Sequence, residues 1–274
     1  MQIAPRFWSE RFLSHGGDIR HFDILHGWKR GGQLAFFEIS YTKARTYLNC
    51  PWLYKLKFLD DWKAPPGPDA SLGISLHKAL ERYHRGQERG IEALWAALDE
   101  AWDRAGYGDS GQELEFYDRA RAALERYRSE IDLKWTGRVF EVEKNFVLDL
   151  SEIGLKLIGS MDRVDRMADG SYVLIEYKTH VQPWSAERMA ADLQMTIYSH
   201  AAREIFGAPQ MGLFFFFVSQ GVWTQVTRGP EDWQGALRAL GEIVRKVRQS
   251  EFTADTRYCP FCEMRKSCGY SVVR

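Results

Sequence analysis

Several residues spread along this chain carry side chains suited to hydrolytic chemistry: His77, Asp162, and the triplet Glu176-Tyr177-Lys178. Asp162 lies in Gly159-Ser160-Met161-Asp162, within one β-rich segment, and Glu176 follows the apolar run Val173-Leu174-Ile175 in the next. Alternate side chains of a strand share a face, so Glu176 and Lys178 project together while Tyr177 points the other way. Two carboxylates on neighbouring strands suit Mg²⁺ or Mn²⁺, hard cations that take oxygen ligands. Such an ion acidifies a bound water and offsets charge on a phosphate. An amine two residues from the acid can neutralise charge that develops during transfer. The chemistry implied is metal-dependent phosphodiester hydrolysis. The pattern is short, however, and paired charges at a strand end also read as a solvated edge.

His77, near the start of a helical stretch after Gly73, offers a third ligand, since neutral imidazole suits Mn²⁺ better than Mg²⁺. A lone histidine is more often just a packed residue. Gln194 and Tyr198 are four apart and share a helix face, as a polar fringe or as lining of a site. Glu141 and Glu143 are auxiliary acids of lower weight.

The four cysteines form a separate set: Cys50 alone, then Cys259, Cys262 and Cys268 close together. Four thiolates complete one iron–sulfur cluster or one tetrahedral zinc site. The three-plus-one spacing differs from the paired Cys-x-x-Cys knuckles of zinc ribbons and favours a 4Fe-4S cluster, with zinc the alternative.

The elements that must position these residues follow from periodicity. A capping Ser40 opens a helical stretch interrupted at Cys50-Pro51, because proline disfavours helix at the residue before it. Helical spacing returns over 72–86, 91–105 and 112–132, with Leu76, Ala79, Leu80 and Tyr83 on the buried face of the first. Three β-rich segments follow, 139–150, 155–166 and 171–178. Residues 184–206 read as one helix, 212–219 and 222–227 as strands, and 230–250 as a last helix. The fold class expected is α/β, a mixed sheet flanked by helices. Residues 39–274 read as one domain with its catalytic core over 137–228 and a helical insertion or lid over 72–132. Residues 1–38 are an extension of unassigned role.

With 37 basic and 37 acidic residues the net charge is zero, which gives no global attraction for nucleic acid. A local basic surface would have to supply it, and Arg257, Arg265, Lys266 and Arg274 near the cysteine cluster, with Lys43, Arg45, Lys55 and Lys57 near Cys50, are the candidates. Trp52 and Tyr54 suit base stacking or, more commonly, core packing. No run of about eighteen apolar residues predicts a membrane helix, and the first residues lack the pattern of an export leader. The expectation is a cytoplasmic protein.

The joint order Gly-x-x-x-His (73–77), Gly-x-x-Asp (159–162), Glu-x-Lys (176–178) and Gln-x-x-x-Tyr (194–198) resembles the RecB-type branch of the PD-(D/E)xK nucleases. With Cys50 before the histidine and Cys-x₂-Cys-x₅-Cys after the core, it is similar to the iron–sulfur members of that branch. Those include CRISPR-adaptation exonucleases and the nuclease domain of AddB. The resemblance implies a restriction-endonuclease-like core with an iron–sulfur clasp. It implies His77, Asp162, Glu176 and the carbonyl of Tyr177 as ligands of Mg²⁺ or Mn²⁺, and Lys178 as catalytic. Gln194 and Tyr198 would shape the site or contact DNA, and Cys50, Cys259, Cys262 and Cys268 would hold the cluster. The activity implied is a DNA exonuclease acting on single strands or ends, in repair, recombination or CRISPR adaptation. An endonuclease or flap-cleaving repair enzyme, or a non-catalytic end-binding subunit, are the alternatives. The chain has no phosphate-binding GxxxxGK[ST] loop, which separates it from one-chain helicase–nucleases.

Overall fold

A computed structural model describes residues 37–180, 182 and 184–273. The rest of the 1–38 extension and Arg274 lie outside the described residues. The chain enters as a short strand, β1 (Phe37–Ser40), then helices α1 (Tyr41–Asn49) and α2 (Pro51–Phe58). Ser40 accepts a hydrogen bond from the Lys43 N–H and caps α1, as expected. Cys50 sits extended between the two helices, at φ −160°. Helix α3 (Pro68–Arg85) starts earlier than its apolar spacing shows, because Pro68 occupies the first turn, where its missing N–H costs nothing. Helices α4 (Ile91–Ala101) and α5 (Ser110–Tyr127) follow, and a π-helical turn (Arg128–Asp132) ends the run.

Next comes the meander β2 (Arg138–Leu150), β3 (Leu155–Arg166) and β4 (Tyr172–Lys178). The single helix expected over 184–206 is instead two: α6 (Ala186–Ala190) and α7 (Leu193–Phe206). Ser185 caps the first and Asp192 caps the second. The buried Arg228 side chain donates to the carbonyls of Met189 and Asp192 and holds the break open. That guanidinium comes from beyond the last strand, so the 184–206 segment itself carries no trace of it. Strands β5 (Gly212–Phe217) and β6 (Val222–Val226) and helix α8 (Pro230–Arg248) complete the fold.

The sheet is mixed. β3 pairs antiparallel with β2 and with β4, β4 runs parallel to β5, and β5 antiparallel to β6. β1 also pairs with β3, in parallel, from Phe37 opposite Leu155 to Ser40 opposite Ile158. Sequence reading starts order at Ser40; four residues are too few for a period to show, and β1 is recognisable only through its partner. β2 runs along the whole of β3, so β1 and β4 must share the other edge: β1 takes 155–158 and β4 takes 163–166. Between them, at 159–162, that edge has no strand partner among the described residues. Asp162 lies at this gap.

Alternation then sorts side chains into two layers. Leu174, Phe215 and Phe217 join Tyr47, Ile197 and Leu240 beneath α1, α7 and α8. Val173, Ile175, Tyr177 and Phe216 join Leu76, Leu80, Leu98 and Leu124 beneath α3, α4 and α5. The Phe214–Phe217 run therefore serves both faces, as a central strand covered on both sides must. The expected face of α3 (Leu76, Ala79, Leu80, Tyr83) is buried.

Candidate active site

The gap in the β3 edge brings His77, Glu143, Asp162, Glu176 and Lys178 into one place. Helix α3 reaches it because Gly73 has no side chain; a Cβ there would lie 3.0 Å from the Thr179 Oγ1, just past the end of β4. One turn on, His77 Nδ1 lies 3.3 Å from Asp162 Oδ1. Asp162 Oδ2 accepts the Tyr177 backbone N–H at 2.7 Å, bridging the splayed strands where ladder pairing has stopped. Gly159 is required in the same way. A Cβ on it would come within 2.6 Å of the Phe146 ring and 3.2 Å of Tyr198, which pack edge to face at 5.3 Å.

Glu143 is the member that sequence reading ranks too low. Val142 and Lys144 pair with Arg163 and Met161, so Glu143 stands opposite Asp162. Its φ is +47°, in the left-handed region that side chains occupy at a cost. The Ser160 hydroxyl donates to its Oε2 at 2.7 Å. Single ligand atoms of His77, Glu143 and Asp162 all lie within 4.8 Å of one another, the spacing one cation needs. The sequence signal was an acid on the strand beside Asp162; the backbone outlier that aims it was not visible there. Glu141 instead pairs with Lys144 at 2.8 Å and stays apart.

Glu176 and Lys178 are buried on the same face, as alternation predicts. Lys178 Nζ donates to Glu176 Oε1 at 3.1 Å and to Gln194 Oε1 at 2.8 Å. Gln194 returns its Nε2–H to Glu176 Oε1. Gln194 thus orients both catalytic candidates at once. Tyr198, one turn further along α7, packs on Phe146 near Glu176. The Tyr177 side chain points the other way, its hydroxyl 2.9 Å from that of Tyr127. There Arg163 is clamped by Asp165 and by Tyr127, and Trp135 Nε1 donates to Asp165. This buried network fixes the strand pair from behind.

The acids repel each other. Burial, then the charge of Asp162, pushes the Glu176 carboxyl up to about 8. Burial, and again Asp162, raises Glu143. Burial would raise Asp162 too, but His77, Lys178 and the Tyr177 N–H outweigh it and hold the group below the usual carboxylate range. Burial opposes charge on His77, yet Asp162 and then the two glutamates carry the imidazole up to about 9. The cluster is short of positive charge, and His77 takes up a proton to supply some. Glu176 Oε2 is buried with no hydrogen-bond partner among the described residues. A divalent cation fits this donor set: it would satisfy the orphaned oxygen and replace the proton on His77.

The four cysteines, scattered in sequence, line one small apolar pocket with Leu53, Leu56, Met264 and Tyr270. Three are buried and Cys268 is half-buried. The Asp255 N–H donates to Cys50 Sγ at 3.3 Å. Burial raises the Cys262 thiol, and the neighbouring Cys50 and Cys268 add to the effect. Of the eight cations expected to form a basic surface around this pocket, three are paired with acids: Lys55 with Asp60, Lys57 with Glu263 and Arg257 with Asp255. Tyr54 is core, and the Trp52 ring meets Tyr270 edge to face at 5.0 Å.

Residues 38–269 match the PD-(D/E)XK nuclease superfamily. Among solved structures, the "Putative exonuclease" from Eubacterium rectale aligns over 90% of this chain and 90% of its own, with a TM-score of 0.50 and 14% identity. At that identity the likeness is one of fold. SSO0001 aligns over 73% of this chain and 95% of its own, with a TM-score of 0.37 and 14% identity. No curated protein matches the sequence. Among the described residues, no helix is long and apolar enough to cross a membrane.

Proposed function

The chain belongs to the PD-(D/E)XK nuclease superfamily, and from there we propose that it is a metal-dependent DNA exonuclease acting on single strands or ends, in DNA repair, recombination or CRISPR adaptation. The observation that carries this reading is the buried Glu176 Oε2, without a hydrogen-bond partner among the described residues, within electrostatic range of the cluster that holds His77, Glu143 and Asp162. His77, Asp162 and Glu176, with the Tyr177 carbonyl, would hold Mg²⁺ or Mn²⁺, and Glu143 would join them. A cation bound there supplies charge neutralisation and an acidified water.

The chain's own residues do the rest. Lys178 has three N–H donors, of which Glu176 and Gln194 take two. The third is free for a non-bridging phosphate oxygen, where charge grows as water adds to phosphorus and an ester oxygen leaves. Gln194 fixes the ammonium by holding both its neighbours. Burial keeps competing water from Lys178 and strengthens its attraction for a phosphate oxygen.

In the cysteine pocket we place a 4Fe-4S cluster. The four cysteines lining one pocket support a thiolate-held group there, and their three-plus-one spacing supports the cluster over zinc. Anaerobically purified protein should be brown and contain iron; a colourless protein with one zinc would reverse this assignment.

The decisive assay uses end-labelled single-stranded DNA with Mn²⁺. Wild type should release short products, and Lys178→Ala should lose at least about a hundredfold in rate, as for removal of one oxyanion donor, with DNA binding intact. Equal cleavage by the two proteins removes Lys178 from the mechanism. Cleavage of a closed single-stranded circle would make the activity endonucleolytic.

A further inference from the structure

Beside Lys178, three elements bring basic side chains near one indole: the buried Lys178 and the exposed Arg45 and Arg188. Arg188 of α6 lies over the Trp184 ring with its guanidinium carbon 3.9 Å from the centroid. Lys178 Nζ lies 5.0 Å from the same centroid. The His180 ring packs against Trp184 at 5.1 Å. Arg45, on α1, is close enough that its charge acts on both Arg188 and His180. It is anchored by the Tyr41 hydroxyl, which also lies within range of Glu176. Among the described residues neither Arg45 nor Arg188 forms an ion pair; the acid felt by Arg188, Asp192, is buried and occupied as the α7 cap. The two exposed guanidiniums thus stand near Lys178, whose own carboxylate partner is the buried Glu176.

A second observation is independent of the charges. Trp184 is 7% exposed, and its Nε1–H is buried with no hydrogen-bond partner among the described residues. A buried donor left unpaired costs about 1–3 kcal/mol, and in a native site it calls for an explanation. An acceptor brought in by a ligand supplies one.

We propose that Arg45 and Arg188, over the Trp184 indole, grip an internal phosphodiester of the substrate strand, next to the one being cut. The proposal rests on the nuclease reading and adds to it how a chain of zero net charge holds a polyanion. A guanidinium pair presents forked donors to phosphate oxygens. The grip reads backbone rather than bases, so binding is independent of sequence.

The test is strand binding with metal chelated, so that cleavage and affinity are read separately. A labelled single strand is titrated by fluorescence anisotropy across a salt series. Each phosphate contact contributes about 0.7 to the slope of log K against log salt on single strands. Arg45→Ala/Arg188→Ala should therefore lower the slope by about 0.7 and weaken binding roughly tenfold. Arg104→Ala, exposed in the α4–α5 connection, should leave both unchanged. A strand with one neutral methylphosphonate at the gripped linkage should bind wild type more weakly and the double variant no more weakly than an unmodified strand. A wild-type slope in the double variant overturns the grip, as does affinity that follows a terminal phosphate and ignores the internal substitution. Either result leaves the nuclease reading standing if wild type still cleaves. Absence of cleavage by wild type, with the salt slopes as expected, removes the nuclease reading instead.

Discussion

Replacing Glu176 by Gln should stabilise the metal-free protein while abolishing its activity. The Glu176 carboxyl ionises near 4.5 when the chain is unfolded and near 8 in the fold. Between those values the folded state holds a proton that the unfolded state has released, so stability falls as pH rises through that window. One pKa unit is worth 1.36 kcal/mol, and by pH 7 the accumulated cost is about 3 kcal/mol. Gln keeps the oxygen that accepts from Lys178 and Gln194 and carries no charge, so the variant escapes this cost. For a domain of this size 1 kcal/mol moves Tm by about 2–4 °C, which predicts a variant that melts at least about 6 °C higher at pH 7 in chelator. At pH 4.5 the two melting points should converge, because both side chains are then neutral in the fold. Added Mn²⁺ should raise the wild-type Tm and close the gap, since the ion binds the ionised form. The measurement is thermal unfolding at both pH values, with and without Mn²⁺. A variant no more stable than wild type at pH 7, or a gap unchanged at pH 4.5, refutes the claim that this carboxylate is strained until a cation meets it.

Three further outcomes follow from particular contacts. Gly159→Ala places a methyl group 2.6 Å from Phe146 and should cost about 1–3 kcal/mol by overpacking, seen as a lower denaturant midpoint; an unchanged midpoint would show that the ring moves freely. Glu143→Gln should weaken Mn²⁺ binding about tenfold by calorimetry, in the range of a lost supporting ligand, while Glu141→Gln leaves it alone; equal effects would place Glu143 outside the metal site. Asp165→Asn strips the buried Arg163 of its counter-charge and should cost about 3–5 kcal/mol; a variant as stable as wild type would show that Tyr127 and water suffice.

The sequence determined which residue types are available for chemistry and on which face of a strand most of them lie. Glu176 with Lys178, and Tyr177 opposed to them, follow from the two-residue period alone, and the burial of Leu76, Leu80 and Tyr83 from the helical one. Cys50 as a break between helices follows from Pro51. These features are local, governed by backbone geometry within a few residues. What tertiary structure decided is how distant segments meet. β1 exists because β3 offers it a free edge, and the α6–α7 break persists because Arg228 satisfies carbonyls that a continuous helix would have used. Glu143 enters the site through a left-handed backbone that strand alternation does not foresee, and Lys57, expected in a basic surface near Cys50, is paired with Glu263 from the far end of the chain. The candidate types were written in the one-dimensional order of motifs; their electrostatic surroundings, from the raised Glu176 to Arg45 and Arg188, depend on burial and on neighbours that only folding supplies.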